Sequence, residues 1–195
     1  MSDRILLAHG AGGRLMNELV RETFLETFGG ALAESATDAA LLPELPPGRV
    51  AFTTDGFVVD PLEFPGGDVG ALSVFGTVND LAVVGARPAH LTWALILEEG
   101  TERALVERIA RSAAEAARQA GVTIVAGDTK VVPRGQGDRI YITTAGVGVV
   151  PTGRRLGDGG IRPGDRILAS GTLGEHGAAI LAARHGLQGP RSDAA

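Results

Sequence analysis

The stretch VAGDTKVV, from Val125 to Val132, sets an aspartate, a threonine and a lysine behind a glycine, between two strand-like apolar runs. A tight turn accounts for Gly127 and Asp128, because both residue types are favoured in turns. It does not account for Lys130. Nor does it account for three other aspartates placed among small and apolar residues: Asp38 in SATDAAL, Asp55 in TTDGFV and Asp80 in TVNDLAV. Buried carboxylates are costly unless they are paired or bound to a cation. Several of them converging would make a hard oxygen site suited to Mg2+ carrying nucleotide phosphates. Each taken singly is equally a turn or helix-cap aspartate. Asp80 fits that alternative least, because it follows Asn79 inside an apolar helical run where a charge has no capping role.

Lys130 is the single lysine of the chain; the other basic residues are all arginine. A lysine beside carboxylates can neutralise a transferring phosphoryl group, and it differs from arginine in geometry and in how readily its pKa moves. The alternative is an ordinary surface lysine. Two glycine loops, HGAGG (His9 to Gly13) and SGTLGEHG (Ser170 to Gly177), each precede a helical pattern. Backbone amides at such a helix start can hold phosphate, although neither loop continues into the Gly-Lys-Ser/Thr of a Walker loop. His9 and His176 are isolated; His176 is read either as a phosphate contact or as a solvated loop residue. Trp93 in HLTWALIL is read as core or interface.

Outward from these motifs, the pattern alternates strands and helices. Leu15, Met16, Leu19, Val20, Thr23, Phe24 and Thr27 share one helical stripe, with Gly29 as its stop. VAFTTDGFVV reads as a strand that ends or bends at Asp55-Gly56. Asp68 is placed to cap a helix running to Gly85. HLTWALILEEG is strand-like, and one face of its apolar run from Leu91 to Leu97 is expected to be buried between subunits. Thr101 is placed to cap a helix over 102–120, with Leu105, Ile109, Ser112, Ala113 and Ala116 inward and Gly121 as the stop. VTIVA and DRIYITTAGVGVV are strands. The order predicts an α+β fold with helices on one face of a mixed or antiparallel sheet. The composition shifts near Pro151. A turn-rich linker follows, then a strand in RILAS, a glycine loop and a helix. This divides the chain into one domain over 1–150 and, over 151–195, a linker with the truncated start of a second, since about 45 residues do not readily make a second domain.

The 195 residues are 44% hydrophobic and 21% charged, which suits a packed core. The aromatic content of 4% and the net charge of −5 disfavour a nucleic-acid platform. The absence of cysteine excludes disulfides and thiolate chemistry within the chain. No run approaches the ~20 apolar residues of a membrane span, and the N-terminus is too short and charged for a secretory signal. A cytoplasmic protein is expected.

HGAGGRLMNELV, FTTDGFVVDPLEFPGGDVGALSVFGTVNDLAVVGARPAHLTWALILEEG, AGDTKVV and SGTLGEHGAAIL together resemble the HypE family of hydrogenase maturation factors, the carbamoyl dehydratases. The resemblance runs through nearly the whole chain, and FPGGD, GTVNDLAV and GDTKVV in that order are specific. HypE belongs to the ATP-binding superfamily of aminoimidazole ribonucleotide (AIR) synthetase, selenophosphate synthetase and thiamine-monophosphate kinase. What this implies is an AIR synthetase-like N-terminal sheet that dimerises into a shared β-barrel, followed by an α/β domain that closes over the nucleotide. It implies that the domain over 1–150 binds ATP and dimerises and that the domain begun over 151–195 is α/β. It implies Mg-ATP held at the domain and subunit boundary, with Asp38, Asp55, Asp80 and Asp128 as metal ligands. Gly10, Gly12, Gly13, Thr54, Asn79, Gly127, Thr129 and Lys130 join the nucleotide site, with Lys130 catalytic. The implied reaction is ATP-dependent dehydration of a carbamoyl group, carried on a C-terminal cysteine, to thiocyanate for [NiFe]-hydrogenase. The implied partners are a second copy, the carbamoyltransferase HypF and the HypC–HypD complex. The family's terminal cysteine is absent, so the chain alone is expected to be inactive. The competing readings are a small-molecule kinase or synthetase of the same superfamily and a non-catalytic dimerisation or docking fragment.

Overall fold

The alternation of β4 (Arg87–Glu98) organises the molecule. Leu91, Trp93, Leu95 and Leu97 are at most 2% exposed, whereas the intervening Thr92, Ala94 and Ile96 are only partly covered. A strand with period-two apolarity buries one face and leaves the other open. The computed structural model describes residues 3–29 and 39–187, and β4 lies inside its four-stranded sheet of order β1-β6-β4-β5. β1 (Gly48–Phe57) and β4 both run antiparallel to β6 (Ile140–Pro151), while β4 and β5 (Thr123–Val132) are parallel. A parallel pair needs a crossover connection. A long helix between β4 and β5 supplies it, and it lies with all the other helices of the core on the sheet face that Leu91 and Trp93 occupy. A short hairpin of β2 (Glu63–Phe64) and β3 (Gly67–Asp68) stands apart.

The helices form where the apolar stripes predict. The first begins as α1 (Arg14–Leu19), passes through a π-helical stretch at Val20–Leu25 and ends as α2 (Glu26–Phe28) at Gly29. Helix α3 (Val69–Val83) is capped by Asp68, whose Oδ1 accepts from the Ala71 N–H at 2.9 Å. Helix α4 (Arg103–Ala120) is the crossover; it buries Leu105, Ile109, Ala113 and Ala116 as expected, with Val106, Ala110 and Ala117 added, and stops at Gly121 in the left-handed conformation. A Cβ at Gly70 of α3 would stand 2.3 Å from the Ile109 carbonyl oxygen, so glycine is what lets α3 and α4 touch. Beyond β6 the chain carries a 3-10 turn at Asp158–Gly160 and α5 (Glu175–Arg184).

Of the two readings given for Trp93, the core one holds: it is 2% exposed, its indole N–H donates to Ser73 Oγ at 2.9 Å, and its ring packs edge-on against Phe24 and Phe28 at 6.1 and 5.2 Å. Three local expectations are corrected. Thr101 does not cap α4. Glu102 occupies that position without a side-chain cap bond, and the Thr101 hydroxyl donates to the Arg139 carbonyl. VAFTTDGF does not end at Asp55-Gly56, because β1 runs on to Phe57 against Ile142. RILAS is not a strand; Ile167 and Leu168 are 98% and 90% exposed, and an apolar strand forms only against a neighbour that supplies hydrogen bonds and cover.

Gly70→Ala is expected to lower stability by about 1–3 kcal/mol, the usual cost of overpacking a tight contact. Denaturant unfolding followed by tryptophan fluorescence reads this directly, since Trp93 is the only tryptophan.

Candidate nucleotide site

Strand β1 and helix α3 bring two of the aspartates together. Asp55 points to the helix-covered side, where Oδ2 is 3.8 Å from the place a Cβ would take at Gly76 of α3. Its Oδ1 accepts from the Gly56 N–H at 2.7 Å. Asp80 lies one helical turn beyond Gly76 on α3, and its Oδ2 accepts from Thr53 Oγ1 at 3.0 Å. Thr53 and Asp55 are two residues apart on a strand and therefore share a face. Asn79 is exposed beside Asp80. Neither aspartate closes a turn or caps a helix. Asp80 is exposed and Asp55 half-buried, so the expected deep burial is replaced by carboxylates presented at the surface.

GDTK is likewise not a turn. Gly127, Asp128, Thr129 and Lys130 all lie in mid-strand in β5. Glycine stands at 127 because a Cβ there would meet the Trp93 carbonyl oxygen at 2.6 Å. Thr129 turns inward and is 3% exposed. Asp128 and Lys130 turn outward, onto the open face of the sheet. The Lys130 ammonium donates to Asp128 Oδ1 at 2.8 Å, and the Thr129 N–H donates to the same oxygen at 2.8 Å. Both side chains are more than half exposed. A pair of this kind contributes about 0–1 kcal/mol to stability, so holding the fold together does not explain it. The N-terminal loop meets this strand: a Cβ at Gly10 would lie 2.7 Å from the Val131 backbone nitrogen, and Gly13 is the N-cap of α1. Thr54 faces the open side at the opposite edge and spends its hydroxyl on the Thr144 carbonyl at 2.8 Å.

The two groups stand apart. β1 and β5 are opposite edges of the sheet, separated by three strand spacings of roughly 4.8 Å, or about 14 Å, and their aspartates face opposite sides. Among the described residues no group of three or more acidic or histidine side chains is placed to hold a metal ion. The expected convergence of Asp55, Asp80 and Asp128 is not formed within one copy, and Asp38 lies outside the described residues. His176 packs edge-on against Phe64 at 5.3 Å. Sequence reading missed Thr53, the hydrogen-bond partner of Asp80; its signal was the two-residue spacing from Asp55 in TTD.

His9 has a structural duty. It is 6% exposed, and its Nδ1 accepts from the Leu6 N–H at 2.9 Å, which requires the neutral ring. Burial, and then the charge of Arg103, hold its pKa below the ordinary value, against an opposing pull from Glu18.

The model of the AIR synthase related protein, N-terminal domain, matches residues 36–150. Carbamoyl dehydratase HypE of Rhodobacter capsulatus is 55% identical over 185 residues, covering 93% of this chain and 54% of that protein. A solved structure of the hydrogenase maturation protein HypE in complex with ATP superposes with a TM-score of 0.89 at 46% identity, over 94% of this chain and 54% of that one. A HypE–HypF complex structure matches with a TM-score of 0.71 at 48% identity, over 89% and 56% respectively. The chain thus spans about half the length of the relatives it matches.

A folded-state pKa below the unfolded value means that the unfolded chain takes up the proton more readily. The stability His9 contributes is therefore complete above its ordinary pKa of about 6.5 and is lost as the pH falls through the lowered value. Denaturation midpoints measured between pH 7.5 and 5 are expected to fall less steeply in His9→Gln, which cannot charge, than in the parent.

Proposed function

The chain belongs to the AIR synthase-related family, and from that premise we propose that it is the nucleotide-handling N-terminal half of a HypE-type carbamoyl dehydratase. The observation that carries this reading is the Asp128–Lys130 pair, exposed in mid-strand beside the glycine loop with no structural duty. The Asp55–Asp80–Thr53 patch, equally without one, supports it. The bound nucleotide is ATP, and the cytoplasm is its setting; no helix among the described residues is long and apolar enough to cross a membrane.

In this reading the substrate is a thiocarbamate on a cysteine that comes from outside these residues, since the chain contains none. The carboxamide oxygen attacks the γ-phosphorus of ATP and releases ADP. The C–O bond then breaks, phosphate leaves, the nitrogen gives up both of its protons, and a thiocyanate remains. Oxygen of an amide is a poor leaving group, and phosphorylation makes it a good one. Lys130 neutralises charge on the transferring group, held in orientation by Asp128. Gly10, Gly12 and Gly13 bring backbone close to the phosphates from the β5 side, and Thr129 and Gly127 set the strand on which Lys130 stands. Magnesium, expected from the resemblance, would supply further charge neutralisation. The described carboxylates of one copy do not form a set that fits it.

The two half-sites are completed, we propose, by a second copy. The open face of the sheet exposes Val50, Phe52 and Ile96 by 63%, 72% and 40%, with Thr92, Ala94, Thr143 and Ala145 between them. A sheet face of this character needs cover, and face-to-face packing of two such sheets closes a barrel. With β1 of one copy against β5 of the other, Asp55 and Asp80 approach the second copy's Asp128 and Lys130. HypF and the HypC–HypD complex are the proposed partners of the whole protein.

Phe52→Glu is expected to convert a dimer into a monomer in light scattering at micromolar concentration; a parent that is already monomeric would remove the two-copy site. In a version extended to a terminal cysteine and supplied with a carbamoyl donor, Lys130→Arg and Lys130→Ala should both retain ATP binding. Both should lose on the order of a hundredfold in dehydration, the size of a lost electrostatic donor. Near-parental turnover by Lys130→Arg would reduce Lys130 to an incidental surface charge. Asp80→Asn is expected to weaken ATP binding in calorimetric titration without shifting the unfolding midpoint downward, because the residue is exposed.

A further inference from the structure

The first helix and the sheet do not close completely on each other. Between them lies a cavity of about 120 Å3, walled by Phe24 and Phe28 of the helix, Trp93 and Leu95 of β4, and Ile124 and Thr129 of β5. It is on the helix-covered face of the sheet, whereas the Asp128 and Lys130 side chains turn onto the open face. The cavity sits where the helix changes its winding. Val20–Leu25 is π-helical, so the side chains on either side of it are not in the register of one continuous α-helix. Stability does not account for this stretch. It holds the Thr23 hydroxyl buried with no hydrogen-bond partner among the described residues, and an unpaired buried hydroxyl is costly. π-helical stretches of this kind recur at functional sites.

The walls narrow the choice of occupant. Phe24 and Phe28 both stand edge-on to Trp93, at 66° between ring planes. The Trp93 N–H is spent on Ser73, so the indole offers its ring to the cavity and not its donor. With Leu95 and Ile124 these rings leave a charged occupant without solvation, which is costly. One buried polar side chain interrupts the apolar lining. Thr129 is 3% exposed, and its hydroxyl has no hydrogen-bond partner among the described residues. A single hydroxyl does not hold a water, which needs about two to four polar partners. An engineered apolar cavity of roughly 150 Å3 in another protein takes up benzene, so a volume of this order suits one aromatic ring.

We infer that this cavity binds a small, neutral, planar aromatic molecule that carries one hydroxyl or amino group. The rings of Phe24, Phe28 and Trp93 receive the aromatic ring in edge-to-face contact. The Thr129 hydroxyl takes the polar substituent, which gives the buried oxygen the partner it lacks. Mostly apolar walls with one placed polar group are the usual make-up of a small-molecule site. A saturated ring of the same size fills the volume but forfeits the edge-to-face contacts. The inference goes beyond the nucleotide reading and does not rest on it, since Asp128 and Lys130 present their charges on the other side of the sheet.

The test follows the indole N–H resonance of Trp93, the only tryptophan, as the 195-residue protein is titrated with phenol, with benzene and cyclohexanol as comparators. Phenol is expected to shift the resonance saturably and to bind about fivefold tighter than either comparator, the size of one net hydrogen bond or ring contact. Thr129→Val, which keeps the shape of the side chain, should bring phenol down to the affinity of benzene and leave benzene where it was. Val20→Phe puts a ring into the cavity from the helix side and should abolish binding of all three. Circular dichroism of each variant separates lost binding from lost fold, and Thr129→Val decides the case if Val20→Phe does not fold. Absence of a saturable shift with phenol overturns the inference. So does equal affinity for phenol and cyclohexanol, or an equal loss for phenol and benzene in Thr129→Val. Displacement of phenol by ATP also overturns it, because the cavity would then be part of the nucleotide site.

Discussion

The indole N–H of Trp93 donates to Ser73 Oγ, and from that bond a chain of hydroxyls ties one helix to two strands. Ser73 donates onward to the Gly70 carbonyl, Thr77 donates to the Ser73 carbonyl, and the Thr77 and Thr144 hydroxyls meet at 2.5 Å. Ser73, Thr77 and Thr144 are fully buried, so each lost partner would leave a polar group without water or protein to satisfy it. The network permits one seating of α3 over β4 and β6 among the many that apolar contact alone would tolerate. The seating has a consequence at the surface: it sets Asp80 opposite Thr53 and Gly76 opposite Asp55, which is how a strand and a helix far apart in sequence share one patch.

The same sheet is treated differently on its two sides. On the covered side, glycines at 70 and 127 let backbone approach backbone, which draws α3 onto α4 and β5 onto β4. On the open side the residues include threonine, alanine, valine, one isoleucine and one phenylalanine, too apolar for a free surface and too flat to form a core alone. The outward-facing Asp128–Lys130 pair stands at the margin of that side. A chemistry that needs both aspartate groups must therefore reach around an edge of the sheet, and the two edges that carry them are β1 and β5.

Much of the candidate site was legible because its residues break local rules. An aspartate in the middle of an apolar helix and a sole lysine among many arginines have no propensity-based reason to be there, and Asp80 and Lys130 prove to have no capping or turn duty. The turn reading of Gly127-Asp128 failed for a reason the sequence does not display. Glycine is demanded there by a carbonyl on the neighbouring strand, a contact from a residue more than thirty positions away, and such an approach looks the same in sequence as a turn. Thr53 was passed over because a threonine in a strand is ordinary; only its distance to Asp80 marks it.

Period-two alternation in β4, the stripe of α4, the Asp68 cap and the Gly121 stop were determined by the sequence alone, because side-chain direction within a strand or helix follows from local geometry. The α+β class with helices on one face followed from their order. Tertiary structure alone decided which edge each strand occupies, that Trp93 turns inward to Ser73, and that the two aspartate groups stand on opposite faces. It also decided that RILAS stays without a strand partner in this chain. Strand order and facing depend on which distant segments meet, and the free energy of those meetings is a property of pairs that no single stretch of residues carries.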